Sequence, residues 1–266
     1  MEAIAVKMLA TAVVVIGVTL SVGHLGPRLG GIIAGTPIVL APAFFFLGRE
    51  QSPAFVAEAA VSALHALTAT LVFTMCYVLA AARLGAISSI LLSILGWMAS
   101  ALVFSRIPGG VGTALLVYAG VFGLAMGLDR YLRLPPTRAA APNRWPDLIF
   151  RGVLAGVLVG VATTVATGFG PLVSGTLTGF PVGFITIALT LQQRFGVATA
   201  RATIATAQRG MFSLIAFAAT AGLTAETLGG LGAFFAALAA SLGLSAAMFA
   251  LIHLHQRMHA TRGHQS

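Results

Sequence analysis

A motif of glycine and proline occurs twice in this chain, and it constrains the fold more than any other feature. The two copies are Gly26, Pro27, Gly31, Gly35 and Pro37, and Gly170, Pro171, Gly175, Gly179 and Pro181. Every position is shifted by the same 144 residues. Both copies open an apolar segment that glycine and proline interrupt. Many secondary transporters build a central site from two such breakable membrane helices.

The composition predicts a membrane protein. Apolar residues make up 58% of the 266 residues and charged residues make up 8%, whereas soluble domains carry about 25% charged residues. The net charge of +9 fits arginines at the cytoplasmic ends of helices. It does not indicate a nucleic-acid partner, because the chain has no basic run interleaved with aromatic residues. The predicted partner is therefore the lipid bilayer.

Nine apolar segments are long enough, or nearly so, to cross about 30 Å of hydrocarbon. We expect them to be helices, because backbone polar groups in lipid must be satisfied within the segment. The predicted spans are 4–22, 28–47, 54–80, 85–104, 111–130, 148–169, 172–191, 197–222 and 228–252. Breaks are predicted at 48–51, 83–85, 106–110 and 192–194. The predicted fold class is an all-α polytopic membrane bundle of about nine spans.

The order of the spans predicts two inverted repeats of four helices each. Spans one to four match spans six to nine, and the fifth span links them. Because the repeats begin five crossings apart, the second copy is upside down relative to the first. The predicted division is repeat one with its linking helix at 1–133, a cytoplasmic linker at 134–147, repeat two at 148–254 and a cytoplasmic tail at 255–266.

The arginines predict the orientation. They crowd the central linker at Arg130, Arg133, Arg138, Arg144 and Arg151, and the positive-inside rule makes that side cytoplasmic. The chain is therefore expected in the cell inner (plasma) membrane with its C-terminus inside. The rule leaves open whether 111–130 crosses the membrane, because the linker is inside in either case.

The interrupted helices are the first candidate binding region. Gly35, Thr36 and Pro37 lie part-way along one span, and Gly179 and Pro181 lie at the equivalent place in another. Proline removes a backbone donor there, and glycine lowers the cost of leaving helical geometry. The freed N–H groups of a half-helix favour an anion. The alternative is a packing kink at which a neighbouring helix approaches closely.

Polar side chains inside two spans are the second candidate. Glu58 and His65 are seven residues apart and share a helix face, as do Arg201 and Gln208, with Arg209 directly after. The 144-residue shift maps His65 onto Arg209. Ionisable groups at mid-membrane usually face a cavity or a partner. His65 and Arg209 could therefore flank one central site, with Glu58 as an ion-pair partner or a proton carrier. Snorkelling, a structural ion pair and a core histidine are the structural alternatives.

Other residues give weaker signals. Gly152, Gly156 and Gly160 predict a close contact between two helices. Cys76 is expected to be a small buried hydrophobe, and the histidines after residue 252 fit a solvated tail better than a metal site. The sequence has no phosphate loop, nucleophile elbow or paired catalytic carboxylates. We therefore expect no cofactor, no metal and no enzyme activity.

One half of this chain resembles the GlpM-like group of short inner-membrane proteins. The match is best at Gly179-Phe180-Pro181, Gln192-Gln193-Arg194 and Ala200-Arg201-Ala202-Thr203-Ile204. The first half keeps Gly35-Thr36-Pro37 but has Ala57-Glu58 in place of Arg201-Ala202. The resemblance implies a duplicated and fused pair of small-protein repeats, and it says little about activity.

Two functions follow as hypotheses from these residues. The first is a secondary transporter or permease of a small anionic solute, with a central site between inverted repeats. The second is a non-transporting scaffold or accessory subunit, in which the repeats are packing devices. A polar cavity at which residues 37, 65, 181 and 209 converge would favour transport, and a dry centre would favour the scaffold.

Overall fold

The computed structural model describes residues 2–24, 37–134 and 145–262, with the backbone alone at 2–3, 21–24, 167 and 252–262. Every regular element in these ranges is helical: α1 (Glu2–His24), α2 (Leu40–Glu50), α3 (Pro53–Ala80), α4 (Ala86–Phe104), α5 (Val111–Leu132), α6 (Trp145–Thr178), α7 (Val182–Ala207), a 3-10 turn (Gln208–Met211) and α8 (Phe212–Arg262). Five helical stretches of this part are long and apolar enough to cross a membrane. The all-α class and its fit to a membrane bundle are thereby confirmed.

Glycine breaks divide the three longest helices. The backbone leaves helical geometry at Gly170 in α6, Gly196 in α7 and Gly229 in α8, with φ of 80°, 82° and 72°. Residues with a side chain rarely adopt such positive φ values. The predicted break at 192–194 is wrong, because α7 continues through these residues and turns at Gly196. The predicted breaks at 83–85 and 106–110 are confirmed, whereas at 48–51 α2 continues through Glu50 and the break lies at residues 51–52.

One predicted span, 172–191, is also interrupted in the structure, and residues 28–36 of the predicted span 28–47 lie outside the described residues. Residues 179–181 separate α6 from α7, and Pro37–Val39 precede the start of α2 at Leu40. The predicted span 197–222 is not one continuous α-helix. A 3-10 turn at Gln208–Met211 separates the end of α7 from the start of α8. The helix at Val111–Leu132 has 22 residues, which is long enough to cross the hydrocarbon core.

The central element is α3, which is buried along most of its length and contacts α4, α5, α6 and α8. Alanines at positions 59, 60, 63, 66 and 69 are at most 1% exposed and let neighbouring backbones approach. A Cβ at Gly175 of α6 would overlap the carbonyl oxygen of Ala59. Small residues at such contacts are how membrane helices gain packing energy without a hydrophobic driving force between them.

The glycines of the α6 stripe pack against α1. A Cβ at Gly152 would meet Ile16 at 2.7 Å, one at Gly156 would meet the carbonyl oxygen of Met8 at 2.5 Å, and one at Gly160 would meet the Met8 side chain at 2.5 Å. The predicted close helix contact is therefore confirmed. As the residue number rises in α6 it falls in α1, so the two helices are antiparallel.

We expect Gly156→Leu to destabilise the fold by about 1–3 kcal/mol or more, because a side chain there forces α1 away from α6. Thermal unfolding in detergent measures the effect. Gly127→Leu in α5 is the matched control, since no heavy atom lies within 4 Å of its Cβ position. Equal melting temperatures for the two variants would contradict the close α1–α6 contact.

Candidate functional site: two cavities at opposite ends of the bundle

Two cavities adjoin opposite ends of α5. We call the end at which α5 begins end A and the end at which it finishes end B. Cavity A, about 500 Å³, adjoins Val111. Cavity B, about 240 Å³, adjoins Asp129 and Leu134. Since α5 is 22 residues long, the two cavities are separated along the bundle axis by most of the length of a membrane-crossing helix.

Cavity A brings together the two polar residues that the sequence singles out on α3. Glu58, Ser62 and His65 line it from one helix face, as their spacing predicts. The other walls are Ser105 and residues 107–110 between α4 and α5, Val111 of α5, Leu172 of α6, and Gly222 and Leu223 of α8. Glu58 is exposed, whereas His65 is 5% exposed. The cavity therefore has a carboxylate at its accessible part and a histidine at its buried part.

The imidazole of His65 is incompletely satisfied. Its Nε2 atom is buried and has no hydrogen-bond partner among the described residues. A buried polar atom without a partner costs free energy, and in a native protein it indicates a water, an ion or a functional demand. His65 is thus a candidate ligand or proton group of cavity A.

Cavity B holds Arg209, which the sequence also singles out, together with Asp129, Arg130 and Thr206. The Asp129 carboxylate lies within electrostatic range of the Arg209 guanidinium. They form no direct ion pair, since the ion pairs of the described side chains are Lys7–Glu50 and Arg194–Asp147. Asp129 Oδ1 is buried and has no hydrogen-bond partner in the described part of the chain. The arginine and the acid therefore face a shared space.

The two cavities use the same positions of the repeat. Glu58, Val61, Ser62 and His65 line cavity A, and Ala202, Ala205, Thr206 and Arg209 line cavity B. Each residue of the second set is 144 positions after its counterpart in the first. The offset that relates the glycine–proline motifs therefore also relates the cavity walls.

An aromatic cluster lies between the cavities, and we call it the aromatic barrier: Tyr118 and Phe122 of α5 and Phe212 of α8. The Phe122 and Phe212 ring centroids are 4.8 Å apart, and Tyr118 is 6.0 Å from Phe122 and 6.1 Å from Phe212. On α5 the cluster lies between Val111 of cavity A and Asp129 of cavity B. On the other wall, Phe212 lies between Gly222 of cavity A and Arg209 of cavity B.

Arg201 and Gln208 share a helix face, and both contact α3. Arg201 Nε donates to the carbonyl oxygen of Val78 at 2.7 Å, and Gln208 Nε2 donates to Thr74 Oγ1 at 2.9 Å. Gln208 is fully buried, and its Oε1 atom has no partner among the described residues. Glu58 pairs with neither Arg201 nor Arg209. Arg201 is thus tied to backbone, while Gln208 keeps one free acceptor in the core.

The break at 179–181 lies beside the middle of α3. The carbonyl oxygen of Gly179 accepts from Thr70 Oγ1 at 3.1 Å, and a Cβ at Gly179 would lie 2.5 Å from the Ala66 Cβ. The indole of Trp97 packs edge-on against Phe180 at 5.1 Å. Freed backbone at the break is therefore partly satisfied by protein, as a membrane interior requires.

Pro37 lies elsewhere. It is buried and lines an apolar cavity of about 440 Å³ with α1, α2 and α8 residues such as Phe45 and Leu238. Gly35 and Thr36 lie outside the described residues. The structure thus does not bring 37, 65 and 209 into one cavity, because Pro37 lines the apolar one, His65 cavity A and Arg209 cavity B.

Sequence reasoning missed several residues of the site. Asp129, Thr74 and the aromatic barrier were not singled out. Tyr118 and Phe122 have helical i, i+4 spacing, which is the one signal that could have found them. Among the described residues, no group of three or more potential metal ligands is present.

Charge is distributed unevenly between the two ends. At end A the described side chains are Lys7, Arg49 and Arg106 with the carboxylates of Glu50, Glu58 and Glu226. At end B they are Arg83, Arg130, Arg133, Arg151, Arg194, Arg201 and Arg209 with Asp129 and Asp147. End B is therefore strongly cationic and end A is balanced.

No family model, curated protein or solved structure matches this chain. The function therefore has to be argued from the cavities, their charges and the repeat.

Proposed function

We propose that this chain is a secondary transporter or permease of a small anionic solute, which reaches the bundle through cavity A on one side of the membrane and cavity B on the other. The observation that carries the proposal is the shared wall pattern. Glu58, Ser62 and His65 of one cavity and Ala202, Thr206 and Arg209 of the other are equivalent positions of one repeat. A scaffold has no need for two equivalent cavities at opposite ends.

Helix boundaries support the repeat. The N-cap of α3 is Ser52 and the N-cap of α4 is Gly85, and the breaks at Gly196 and Gly229 stand 144 positions later. Ala41 N donates to the carbonyl oxygen of Pro37 at 2.7 Å, and Ile185 N donates to that of Pro181 at 3.0 Å. The second pair of residues is the first pair shifted by the same offset.

Contacts between the halves support inversion. Val78 contacts Arg201 at 2.7 Å, and a Cβ at Gly222 would lie 3.7 Å from the carbonyl oxygen of Ala57. The 144-residue shift converts one contact into the other. The same shift also converts each of the close α1–α6 contacts into another contact between these two helices. In each of these antiparallel helix pairs, the shift by 144 residues replaces one helix by the other. Such a relation fits a two-fold axis in the membrane plane, and that axis would place the cavities on opposite membrane faces.

The proposed topology has nine crossings, with α6, α7 and α8 divided at their glycine breaks. The arginines of end B make that end cytoplasmic by the positive-inside rule, and an inner-membrane location with a cytoplasmic C-terminus follows. A duplicated and fused GlpM-like half is the ancestry that we propose for the two repeats.

In this proposal the aromatic barrier closes the path between the cavities. A small rocking of one repeat against the other would move Phe212 relative to Tyr118 and Phe122, and would open the buried Gln208 to one cavity at a time. Arg130 and Arg209 of cavity B supply the positive charge that favours an anion.

One observation favours the scaffold instead. The centre between the cavities is packed with buried apolar residues, including Leu64, Leu67 and Met211. A permanently closed centre would make the cavities surface features of a packing device. The scaffold is therefore the second candidate function. Measuring whether each cavity can be reached from one side of the membrane or the other distinguishes the scaffold from the transporter.

We expect the purified protein in liposomes to take up one or more members of a panel of small radiolabelled anions, and Arg209→Gln to reduce that uptake by tenfold or more. A tenfold loss corresponds to about 1.4 kcal/mol. Arg83→Gln is the control, because Arg83 is exposed in the turn after α3 and lines neither cavity. Unchanged uptake in Arg209→Gln, or none by the wild type, would count against the proposal.

A further inference from the structure

The two cavities differ in the sign of their charge. Among the residues that line cavity A, Glu58 is the charged one, whereas cavity B has Arg130 and Arg209 beside Asp129. An anion attracted by Arg209 at end B would therefore meet a carboxylate at end A. Repulsion between two like charges a few ångströms apart is strong where water is scarce. Transport of an anion through both cavities needs a way to neutralise cavity A.

Protonation of Glu58 and His65 could neutralise cavity A. They are seven residues apart on one face of α3, which is a rise of about 10 Å, and Ser62 lies between them on the same cavity wall. His65 is 5% exposed, and its Nε2 atom is buried without a partner in the described structure. A carboxylate that water can reach and a buried imidazole behind it are suited to pass one proton inward.

The other walls of cavity A add no competing titratable group. The α4–α5 connection contributes Ser105, Ile107, Pro108, Gly109 and Gly110, α5 contributes Val111, α6 contributes Leu172, and α8 contributes Gly222 and Leu223. The nearest charged residues of those elements are Arg106 and Glu226, which are exposed and do not line the cavity. The charge state of cavity A therefore depends on Glu58 and His65.

We infer that Glu58 and His65 form a proton site that couples transport to protons, so that the anion crosses together with a proton. The inference rests on the proposed function for its role in transport. A proton from end A first binds the Glu58 carboxylate and then passes to the unprotonated ring nitrogen of His65, giving an imidazolium. Only O–H and N–H bonds form and break. That one proton changes cavity A from anionic to net neutral, because the imidazolium offsets the Glu58 carboxylate, and an anion can then enter it.

The test is a direct titration of His65, which needs no knowledge of the solute. The full-length protein, labelled with ¹⁵N-histidine, is placed in lipid nanodiscs, and the His65 resonances are assigned by their absence in His65→Gln. We expect the ring to change from neutral to imidazolium as the pH is lowered. Glu58→Gln should move the midpoint to lower pH, because it removes a negative charge about 10 Å away. Glu226→Gln is the control and should leave the midpoint in place.

Each outcome decides the inference. A His65 ring that stays neutral from pH 4 to pH 8, or a midpoint that ignores Glu58→Gln, would overturn it. The proposed transport is tested separately by access from the two membrane sides. If His65 titrates but the cavities open to the same side, the proton site stands and the transporter fails. If the cavities open to opposite sides and His65 does not titrate, the transporter stands and proton coupling fails.

Discussion

Replacing Tyr118 and Phe212 together with alanine is expected to make liposomes that contain the protein leak small ions, with efflux raised about tenfold or more. These rings, with Phe122, lie along α5 and α8 between the residues that line cavity A and those that line cavity B, and they contact one another. Removing two of them would join the cavities into a continuous water path. A tenfold increase requires the barrier to ion passage to fall by only about 1.4 kcal/mol. A chloride-sensitive dye trapped in the liposomes measures the efflux.

The matched control is the double substitution Phe44→Ala and Phe217→Ala. These rings also form an edge-on pair, 5.7 Å apart, and both are at most 1% exposed. Each Phe→Ala change in a core costs about 3–5 kcal/mol of stability. Because Phe212 is only partly buried, the control is weakened at least as much as the Tyr118 and Phe212 double variant. Phe44 and Phe217 line neither cavity, and we expect no leak from this control. Equal efflux from both double variants would show that destabilisation, rather than an opened path, causes the leak.

The local features of the fold were predictable because they depend on single residues and their neighbours. Glycine and proline at 179–181 predicted an interruption, and the Gly152 stripe predicted a close helix contact. Both follow from backbone chemistry that a few residues determine. The same chemistry explains the error at 192–194, where polar residues suggested a break, although the backbone turns at Gly196, two positions beyond it.

The arrangement of the candidate site was predictable only in part. The shared face of Glu58 and His65 follows from helical periodicity, and the structure brings both to cavity A. The 144-residue offset made His65 and Arg209 equivalent, but equivalence does not make two residues neighbours. The proposed axis in the membrane plane would carry residues away from the axis to opposite sides of the centre. This agrees with His65 and Arg209 lining different cavities.

The sequence could not indicate which residues α5 places at the two cavities and between them. This helix lies outside the repeat, so no offset assigns its residues a counterpart. Its role comes from packing along α3 and α8, which puts Val111 at one cavity, Asp129 at the other and Tyr118 between them. Tertiary contacts of this kind leave no spacing pattern in the sequence beyond the ordinary helical one.

Access to Ser62 and Thr206 from the two sides of the membrane tests the central claim most directly. These hydroxyl residues are equivalent positions of the repeat and line cavity A and cavity B. Each is changed to cysteine in a Cys76→Ala background, since Cys76 is the chain's one cysteine. Oriented membrane vesicles are then treated with a maleimide that cannot cross the bilayer, on one side or the other. We expect Ser62→Cys to react from the periplasmic side alone and Thr206→Cys from the cytoplasmic side alone. Labelling of both from the same side, or of neither from any side, would contradict the two-cavity transporter.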